Sequence, residues 1–237
     1  MQTSPMKKKS GVSVVIPAFN EQTTIGHVIH DVLSLSKLYD LEIIVVDDGS
    51  GDFTSQRAKK AGAHKVIIHK KNTGKGGAFR TGYKAATKEY VIQIDADRQL
   101  RASEIPKLIR PLEEGYSMVL GSRYEIMNLL SSDFTTFIKM YGNLFLSLTA
   151  TLFSFRLVPD VMTGFKSFTR RAIVDISPKV NHFGYEAELV VKAAKKGYSM
   201  KVVTVSCRKR EAGRSNLKAI RHGALVFKTI LLSSFSK

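Results

Sequence analysis

The chain has 237 residues, enough for one large α/β domain with a substantial buried core. Lys and Arg number 37 against 20 Asp and Glu, so the net charge of +17 predicts an anionic partner. The single cysteine, Cys207, excludes an internal disulfide and favours a reducing compartment. The basic N-terminus lacks an apolar h-region, so we expect no signal peptide, and no apolar stretch reaches the about 20 residues of a membrane-spanning helix.

Strands and helices alternate along the first half of the chain. Apolar runs predict strands over Val12–Pro17, Glu42–Val46, Lys65–Ile68, Tyr90–Ile94 and Met118–Leu120. Apolar periodicity and terminal glycines predict helices over Glu21–Lys37, 52–62, Lys75–Thr87 and 103–115. This alternation indicates a mostly parallel central sheet with right-handed crossovers and flanking helices.

The second half of the chain is less regular. We expect a helix over Phe134–Phe155, a loop over Asp160–Phe168 leading into a short strand, a helix over Gly184–Lys196 and a strand over Ser199–Ser206. A terminal helix, 214–237, would place basic residues on one face, namely Arg214, Lys218, Arg221, His222 and Lys228. The opposite face would carry Ile220, Ala224, Phe227, Ile230 and Leu231.

We expect a basic tail over 1–10 and a catalytic domain over 11–213, with a donor half to about 123 and an acceptor half over 124–213.

Two carboxylates, Asp95 and Asp97, stand two residues apart at the end of the fourth predicted strand. This spacing puts both on one side of an extended chain, where they repel each other unless a cation lies between them. Mg²⁺ and Mn²⁺ prefer such oxygen ligands, although an acidic loop has the same pattern. Polar clusters at 17–21 and 47–50 also follow predicted strands, and ligands of parallel sheets bind at this edge.

Two further features each have two interpretations. The glycine-rich stretch Gly74–Gly77 is not a P-loop, because no Ser or Thr follows Lys75. It fits either a tight turn before a helix or a phosphate or base contact made by Lys75. Glu186 and Glu188 fit exposed helix carboxylates, and Glu188 also fits an organiser of an acceptor site.

Several motifs together carry a family resemblance. VVIPAFNE, IIVVDDGSGD, NTGKGGAFRTGY, IDAD and GSR occur in the order seen in inverting family-2 glycosyltransferases of the GT-A fold. The later DVMTGFKSFTR, FGYEAEL and RKREAGRSNL resemble the dolichol-phosphate mannose synthase and dolichyl-phosphate glucosyltransferase branch. The resemblance spans about residues 11 to 220.

The resemblance implies roles for individual residues. A nucleoside pocket would be lined by Pro17, Ala18, Asn20, Glu21 and Val46. Asp48 would accept a hydrogen bond from the base, and Lys75 and Asp95 would also contact the nucleotide. A divalent metal, Mg²⁺ or Mn²⁺, would be held by Asp95, Asp97 and Gln99. Catalytic roles fall on Asp97, Arg123 and Arg210, and the acceptor phosphate would meet Arg123 and Arg210. Two further cations would replace residues that the pattern lacks here: Lys139 for a second arginine, and Lys218 or Arg214 for the lysine expected at Asn216. Two departures from the pattern, Leu100 after Gln99 and Asn216 before Leu217, bear mainly on the acceptor side.

The implied reaction moves one sugar from UDP-glucose or GDP-mannose to a polyprenyl phosphate such as dolichyl phosphate. A phosphate acceptor is already an anion and needs no general base. The alternative is a family-2 enzyme acting on a sugar hydroxyl, which requires a base such as Glu188. We expect a cytoplasmic, peripheral enzyme whose terminal helix contacts anionic membrane, and no nucleic-acid partner, because the aromatic residues form no stacking platform.

Overall fold

The computed structural model describes residues 9–122, 134–154, 164–182, 184–206 and 219–235. Three predicted site residues, Arg123, Arg210 and Lys218, lie outside these ranges, as do Asp160–Thr163 of the predicted loop. The boundary proposed at 213/214 also lies outside them, so the division into domains stays a prediction.

In the described residues, seven strands form one sheet. They are β1 Gly11–Ala18, β2 Asp40–Asp47, β3 Lys65–Ile68, β4 Tyr90–Gln93, β5 Met118–Ser122, β6 Lys166–Thr169 and β7 Met200–Thr204. Their order is β3-β2-β1-β4-β6-β5-β7, and every neighbouring pair is parallel except those that include β6. The predicted mostly parallel sheet is therefore confirmed.

The helices are α1 Ile25–Leu33, α2 Thr54–Lys60, α3 Lys75–Ala85, α4 Ile105–Glu113, α5 Phe134–Ser154, α6 Arg170–Ile176, α7 Tyr185–Lys195 and α8 Ala219–Phe235. The first helix begins later than predicted, because Thr24 and Ile25 both donate to the carbonyl of Glu21 and form a turn there. Helix α6 was not predicted. The hydroxyl of Thr169 caps it by accepting a hydrogen bond from the backbone N–H of Ala172.

The sheet has a separate hydrophobic core on each face, because successive residues of a strand point to opposite sides. Val14 and Ile43 pack with α1 and α4 on one face. Val15 and Ile44 pack with α3, α7 and α8 on the other. The continuous apolar runs of the sequence thus correspond to strands buried on both faces.

One edge of the sheet collects most of the connections that the sequence marked as polar. Strands β1, β2, β4 and β5 end at this edge, and β6 begins there, since Lys166 pairs with both Gln93 and Leu120. Just after β7, the N–H of Val205 donates to the carbonyl of Ser122 at the same edge. This edge, called the rim below, is where we expect the residues that bind the nucleotide-sugar donor and the metal to lie.

Helices α5 and α8 pack side by side and run in the same direction. Phe145 stacks on Phe227 with ring centroids 6.0 Å apart, and Phe153 meets Phe235 at 5.9 Å. Together the two helices expose an apolar ridge, formed by Leu144, Phe145, Leu148, Leu152, Leu225, Leu232 and Phe235. Within the described ranges, no helix is both long enough and apolar enough to cross a bilayer.

The outward face of α8 is more apolar than the sequence predicted. Ile230 is buried as expected, but Ala224, assigned to the apolar face, is exposed. Lys228 is exposed between Leu225 and Leu232, so basic and apolar groups share the surface of this helix.

A buried carboxylate, Glu42, organises the opposite edge of the sheet. It accepts hydrogen bonds from the Ser13 hydroxyl at 2.5 Å, from Lys65 Nζ at 2.8 Å and from the backbone N–H of Thr87 at 2.8 Å. Burial alone would raise the pKa of Glu42, but these hydrogen bonds outweigh it and lower the pKa to about 2. One ionised group thus joins β1, β2 and β3 to the segment just before β4.

Replacing this carboxylate should destabilise the fold in a pH-dependent way. Because the folded pKa lies below the ordinary value of 4.5, the stabilisation is complete above about pH 4.5 and disappears as the pH falls through about 2. Glu42→Gln should lower the free energy of unfolding by about 3 kcal/mol at pH 7. Urea unfolding of the wild type and Glu42→Gln between pH 3 and pH 7 measures this difference in free energy of unfolding. A difference that stays constant with pH would contradict an ionised Glu42.

Candidate active site

The loops that follow β1 and β2 are fastened to each other at the rim. Asn20 Oδ1 accepts a hydrogen bond from the Gly51 N–H at 3.0 Å, and the Glu21 N–H donates to Thr54 Oγ1 at 2.8 Å. Asn20 has a φ of +55°, a conformation that asparagine tolerates better than most residues. The predicted nucleoside-binding segments therefore lie together, and within the sheet Pro17 pairs with Val46, as Ala18 does with Asp47.

Two exposed aromatic residues on this rim were not recognised from the sequence. Phe19 and Phe53 lie on the loops after β1 and before α2, and 45% and 64% of their surfaces are exposed. A flat apolar ring in a polar loop at a ligand-binding edge can stack against a base. Their position directly after a buried strand and beside Asp52 was the available signal.

The carboxylate of Asp48 is used within the chain. Its Oδ1 accepts from the Thr73 N–H at 2.9 Å and from the Thr73 hydroxyl at 2.7 Å, and it lies 2.7 Å from His69 Nδ1. Its Oδ2 accepts from the Gly74 N–H at 2.8 Å. Asp48 thereby shapes the loop that leads into Lys75, and the hydrogen bond to a base implied by the resemblance stays a prediction.

The glycines before and in α3 let another part of the chain approach the helix closely. A Cβ on Gly76 would lie 2.4 Å from the Val180 carbonyl oxygen and 2.8 Å from Tyr185 Cβ. The Gly76 N–H donates to the carbonyl of Asn181 at 2.8 Å, so the chain itself caps the first turn of this helix. These N–H groups are therefore not a free cradle for phosphate.

Lys75, at the start of α3, is held between two carboxylates. Its Nζ lies 2.9 Å from Asp95 Oδ1, 3.0 Å from Asp95 Oδ2 and 3.1 Å from Glu186 Oε1. Burial alone would lower the pKa of Lys75, but the negative charges of Asp95 and Glu186 outweigh it and raise the pKa well above its usual value. Lys75 is therefore a permanent cation beneath the Asp-x-Asp pair.

Buried polar side chains support this ion pair. Gln93 Nε2 donates to the Tyr185 hydroxyl at 2.7 Å and to the Gly164 carbonyl at 3.1 Å. Burial raises the pKa of Tyr185 well above its usual value, so the phenol stays neutral. A Cβ on Gly164 would lie 2.9 Å from Asp95 Oδ2, which explains why glycine precedes β6. The motifs around 75, 95, 164 and 185 thus meet at one point.

The two predicted metal-binding carboxylates differ in exposure. About a quarter of the Asp95 side chain is exposed, whereas Asp97 is buried and its Oδ1 accepts from the Gln99 N–H at 3.1 Å. Arg98, between Asp97 and Gln99, has a φ of +61°. The described residues contain no cluster of three His, Cys, Asp or Glu suited to a metal. Two carboxylates fit Mg²⁺ or Mn²⁺, whose remaining ligands are often water and substrate phosphate.

The interpretation of Glu186 and Glu188 as exposed helix carboxylates is wrong, because only 3% of each residue is exposed. Glu188 accepts from the Lys179 and Val180 N–H groups at 2.9 and 2.7 Å and pairs with Lys192 at 2.6 Å. It closes the loop before α7, and with 4% of its side chain exposed and its oxygens engaged, it is poorly placed to take a proton from an acceptor. The sequence shows that both lie on a helix but not what covers that helix.

The acceptor-side assignments stay predictions. Lys139 lies within α5, and Arg123, Arg210 and Lys218 are outside the described residues. Gln99 contacts Asp97 through its backbone, so a role for its side chain on a metal also stays a prediction.

Residues 13–176 match the model of the family described as glycosyl transferase family 2. This chain belongs to that family. The match runs from within β1 to the end of α6 and therefore contains Asp95, Asp97 and the ends of β1, β2, β4 and β5. The protein is accordingly a glycosyltransferase, as the ordered motifs predicted.

Similar proteins agree with this family. Glycosyltransferase AglJ of Haloferax volcanii is 31% identical over 224 residues, covering 94% of this chain and 71% of AglJ. A dolichyl-phosphate hexose transferase of the same organism is 28% identical over 222 residues, covering 93% of this chain and 92% of the relative. The branch suggested by the later motifs is thus represented among the relatives of this family-2 enzyme.

A solved structure supports the fold. Glucosyl-3-phosphoglycerate synthase of Mycobacterium tuberculosis, in complex with Mn²⁺, UDP and phosphoglyceric acid, superposes with a TM-score of 0.75 at 23% identity. The superposition covers 96% of this chain and 80% of the synthase. The predicted GT-A fold is therefore confirmed.

Filling the contact between α3 and the Val180 carbonyl should destabilise the protein. Gly76→Ala places a methyl group against backbone that cannot move aside, and we expect a loss of about 1–3 kcal/mol in the free energy of unfolding. The matched control is Gly223→Ala in α8, where an added Cβ meets no atom within 4 Å. It should be neutral or slightly stabilising. Thermal unfolding of the three proteins tests this, and equal melting temperatures for both variants would contradict the close approach.

Proposed function

We propose that this family-2 enzyme transfers one hexose, glucose or mannose, from a nucleotide-diphosphate donor to a polyprenyl phosphate such as dolichyl phosphate. The observation that carries the proposal is the state of the carboxylates around the Asp-x-Asp pair. Glu188 is buried and accepts backbone hydrogen bonds, and Glu186 is buried in contact with Lys75 and Tyr185. Neither is available to deprotonate a hydroxyl acceptor.

An acceptor that is already an anion needs no such base. A phosphate oxygen can attack the anomeric carbon directly and displace the nucleoside diphosphate with inversion. The rival activity, transfer to a sugar hydroxyl, assigned the base to Glu188, whose oxygens are held by Lys179, Val180 and Lys192. The similarity to a dolichyl-phosphate hexose transferase points to the same class of acceptor.

The donor side of the proposal uses the rim at the end of β1, β2 and β4. Asn20 and Glu21 fix the two loops on which Phe19 and Phe53 are exposed, so the nucleoside would lie against this rim. Asp95 and Asp97 would hold Mg²⁺ or Mn²⁺, which neutralises charge on the leaving diphosphate when it is bound. The synthase of similar fold was crystallised with Mn²⁺ and UDP, which supports a divalent ion and a nucleotide here.

Membrane contact is the second part of the proposal. The acceptor lipid lies in a bilayer, and the apolar ridge of α5 and α8 exposes large side chains, including Leu152 at 68% and Phe235 at 74%. Apolar patches of this kind beside basic groups suit the surface of an anionic membrane. Lys228 and the net charge of +17 supply the electrostatic attraction. We propose that the enzyme is peripheral on the cytoplasmic face.

The first test is a donor and acceptor screen. Purified protein with Mn²⁺ and dolichyl phosphate is incubated with UDP-glucose, GDP-mannose or UDP-N-acetylglucosamine, and sugar in the organic phase is measured. We expect one active donor and a loss of about a hundredfold or more in Asp97→Ala, because charge on the leaving group is then poorly neutralised. Asp175→Ala, an exposed carboxylate on α6, is the matched control and should retain activity.

Parallel reactions with dolichol and with phosphoglycerate identify the acceptor class. Transfer to dolichol, which has a hydroxyl in place of the phosphate, would contradict the proposed anionic acceptor. Transfer to phosphoglycerate alone would keep the phosphate chemistry and refute the lipid.

The second test concerns the apolar ridge. Leu148→Ser combined with Leu152→Ser removes apolar surface without opening the core, since both side chains are exposed. We expect about tenfold weaker co-sedimentation with acidic liposomes, because each leucine would no longer enter the interface. Val174→Ser, an exposed apolar residue on α6, is the control and should bind as the wild type does. Unchanged sedimentation of the double variant would rule out this ridge as the membrane contact.

A further inference from the structure

The position of Lys75 presents a conflict with the proposed metal. The ammonium group lies within 3.0 Å of both oxygens of Asp95, the more exposed carboxylate of the Asp-x-Asp pair. A divalent cation that binds Asp95 needs the same oxygens. Two cations bound to the same carboxylate oxygens repel each other strongly, so the ammonium group and a divalent ion cannot both bind Asp95 at contact distance.

A second carboxylate is ready to receive the ammonium group. Glu186 Oε1 lies 3.1 Å from Lys75 Nζ, and its side chain is only 4% exposed, against 26% for Asp95. The Tyr185 hydroxyl donates to the same oxygen at 3.4 Å, and Gln93 in turn holds Tyr185. Glu186 is therefore anchored inside the protein, whereas Asp95 faces the rim.

The surroundings of Lys75 leave room for a small movement. A Cβ on Gly164 would lie 3.2 Å from Lys75 Nζ, so the absence of a side chain at this position keeps the space beside the ammonium group open. The end of a lysine has several rotatable bonds and can change partners with little movement of its backbone. Lys75 can thus leave Asp95 and keep its contact with Glu186.

We propose that Lys75 and Glu186 form a cation exchanger for the metal site. Lys75 neutralises Asp95 while the metal is absent, and Glu186 retains the displaced ammonium group when a divalent ion binds Asp95. Both are positioning residues, and the inference rests on the proposed function through its metal site. The exchanger prevents repulsion between Asp95 and Asp97 in the free enzyme and sets the affinity for the metal.

Competition between Lys75 and the metal for Asp95 sets the direction in which substitutions of Lys75 and Glu186 change the affinity for Mn²⁺. Lys75→Gln removes the competitor and should raise the affinity for Mn²⁺ by about tenfold. Glu186→Gln leaves the ammonium group with Asp95 alone and should lower the affinity by a similar factor. In the Lys75→Gln background, Glu186→Gln should change the affinity by less than about twofold, because no ammonium group remains to be retained.

The experiment is a Mn²⁺ titration followed by electron paramagnetic resonance, with and without UDP, on the full chain. It uses the wild type, both single variants, the double variant and Asp97→Ala. Lys88→Gln and Glu114→Gln remove the same charges from ion pairs away from the rim and should leave the affinity unchanged. Circular dichroism checks that each variant is folded.

A charge-conserving variant keeps the test decisive if Lys75→Gln does not fold. Glu186→Asp retains the charge but shortens the side chain away from Lys75. The exchanger therefore predicts weaker Mn²⁺ binding by this variant, whereas a general electrostatic effect predicts unchanged binding. The exchanger would be overturned if Glu186→Gln had equal effects in the wild type and in Lys75→Gln, or if Glu186→Asp left Mn²⁺ binding unchanged. In either case, Mn²⁺ binding that requires Asp97 would preserve the proposed metal site. No Mn²⁺ binding by the wild type, even with UDP, would refute both.

Discussion

Charge balance beneath the Asp-x-Asp pair is the constraint on which the rest of the site depends. A strand that ends in two carboxylates needs a cation, and the chain supplies Lys75 from the start of α3. That lysine must reach beneath the sheet edge, so residue 164 has no side chain and Tyr185 and Gln93 provide polar support. Motifs that are far apart in the sequence are therefore parts of one electrostatic arrangement.

Contacts between α3 and the segment before α7 join the proposed donor half to the proposed acceptor half. Gly76 lies directly against the segment before α7, and Asn181 caps the first turn of α3. Glu188 fixes that segment from the other side through its backbone N–H groups. Residues of the proposed donor half thus depend for their position on α7, in the proposed acceptor half, so changes in α7 can affect the proposed metal site without contacting it.

Most of the sheet could be predicted because its strands are buried on both faces. The run Lys65–Ile68 corresponds to β3 with identical bounds, and β1 and β2 differ from the prediction by at most two residues at either end. The direction of β6 could not be predicted, since four residues carry no information on their partner. Helix α6 was missed, although Thr169 followed by Ala172, Ile173 and Ile176 contained both a cap and an apolar spacing. The burial of Glu186 and Glu188 depends on what packs against α7, which local sequence does not contain.

The antiparallel strand β6 has a consequence for how such an enzyme can diversify. Because β6 enters the sheet at the rim, the chain leaves after β5, returns at Gly164 and leaves again after β7 at the same edge. Changes of chain length just after β5, just before Gly164 and just after β7 would therefore leave the strand order and the Glu42 cluster at the far edge untouched. These three points of the scaffold are where segments from relatives can be grafted with least effect on the sheet.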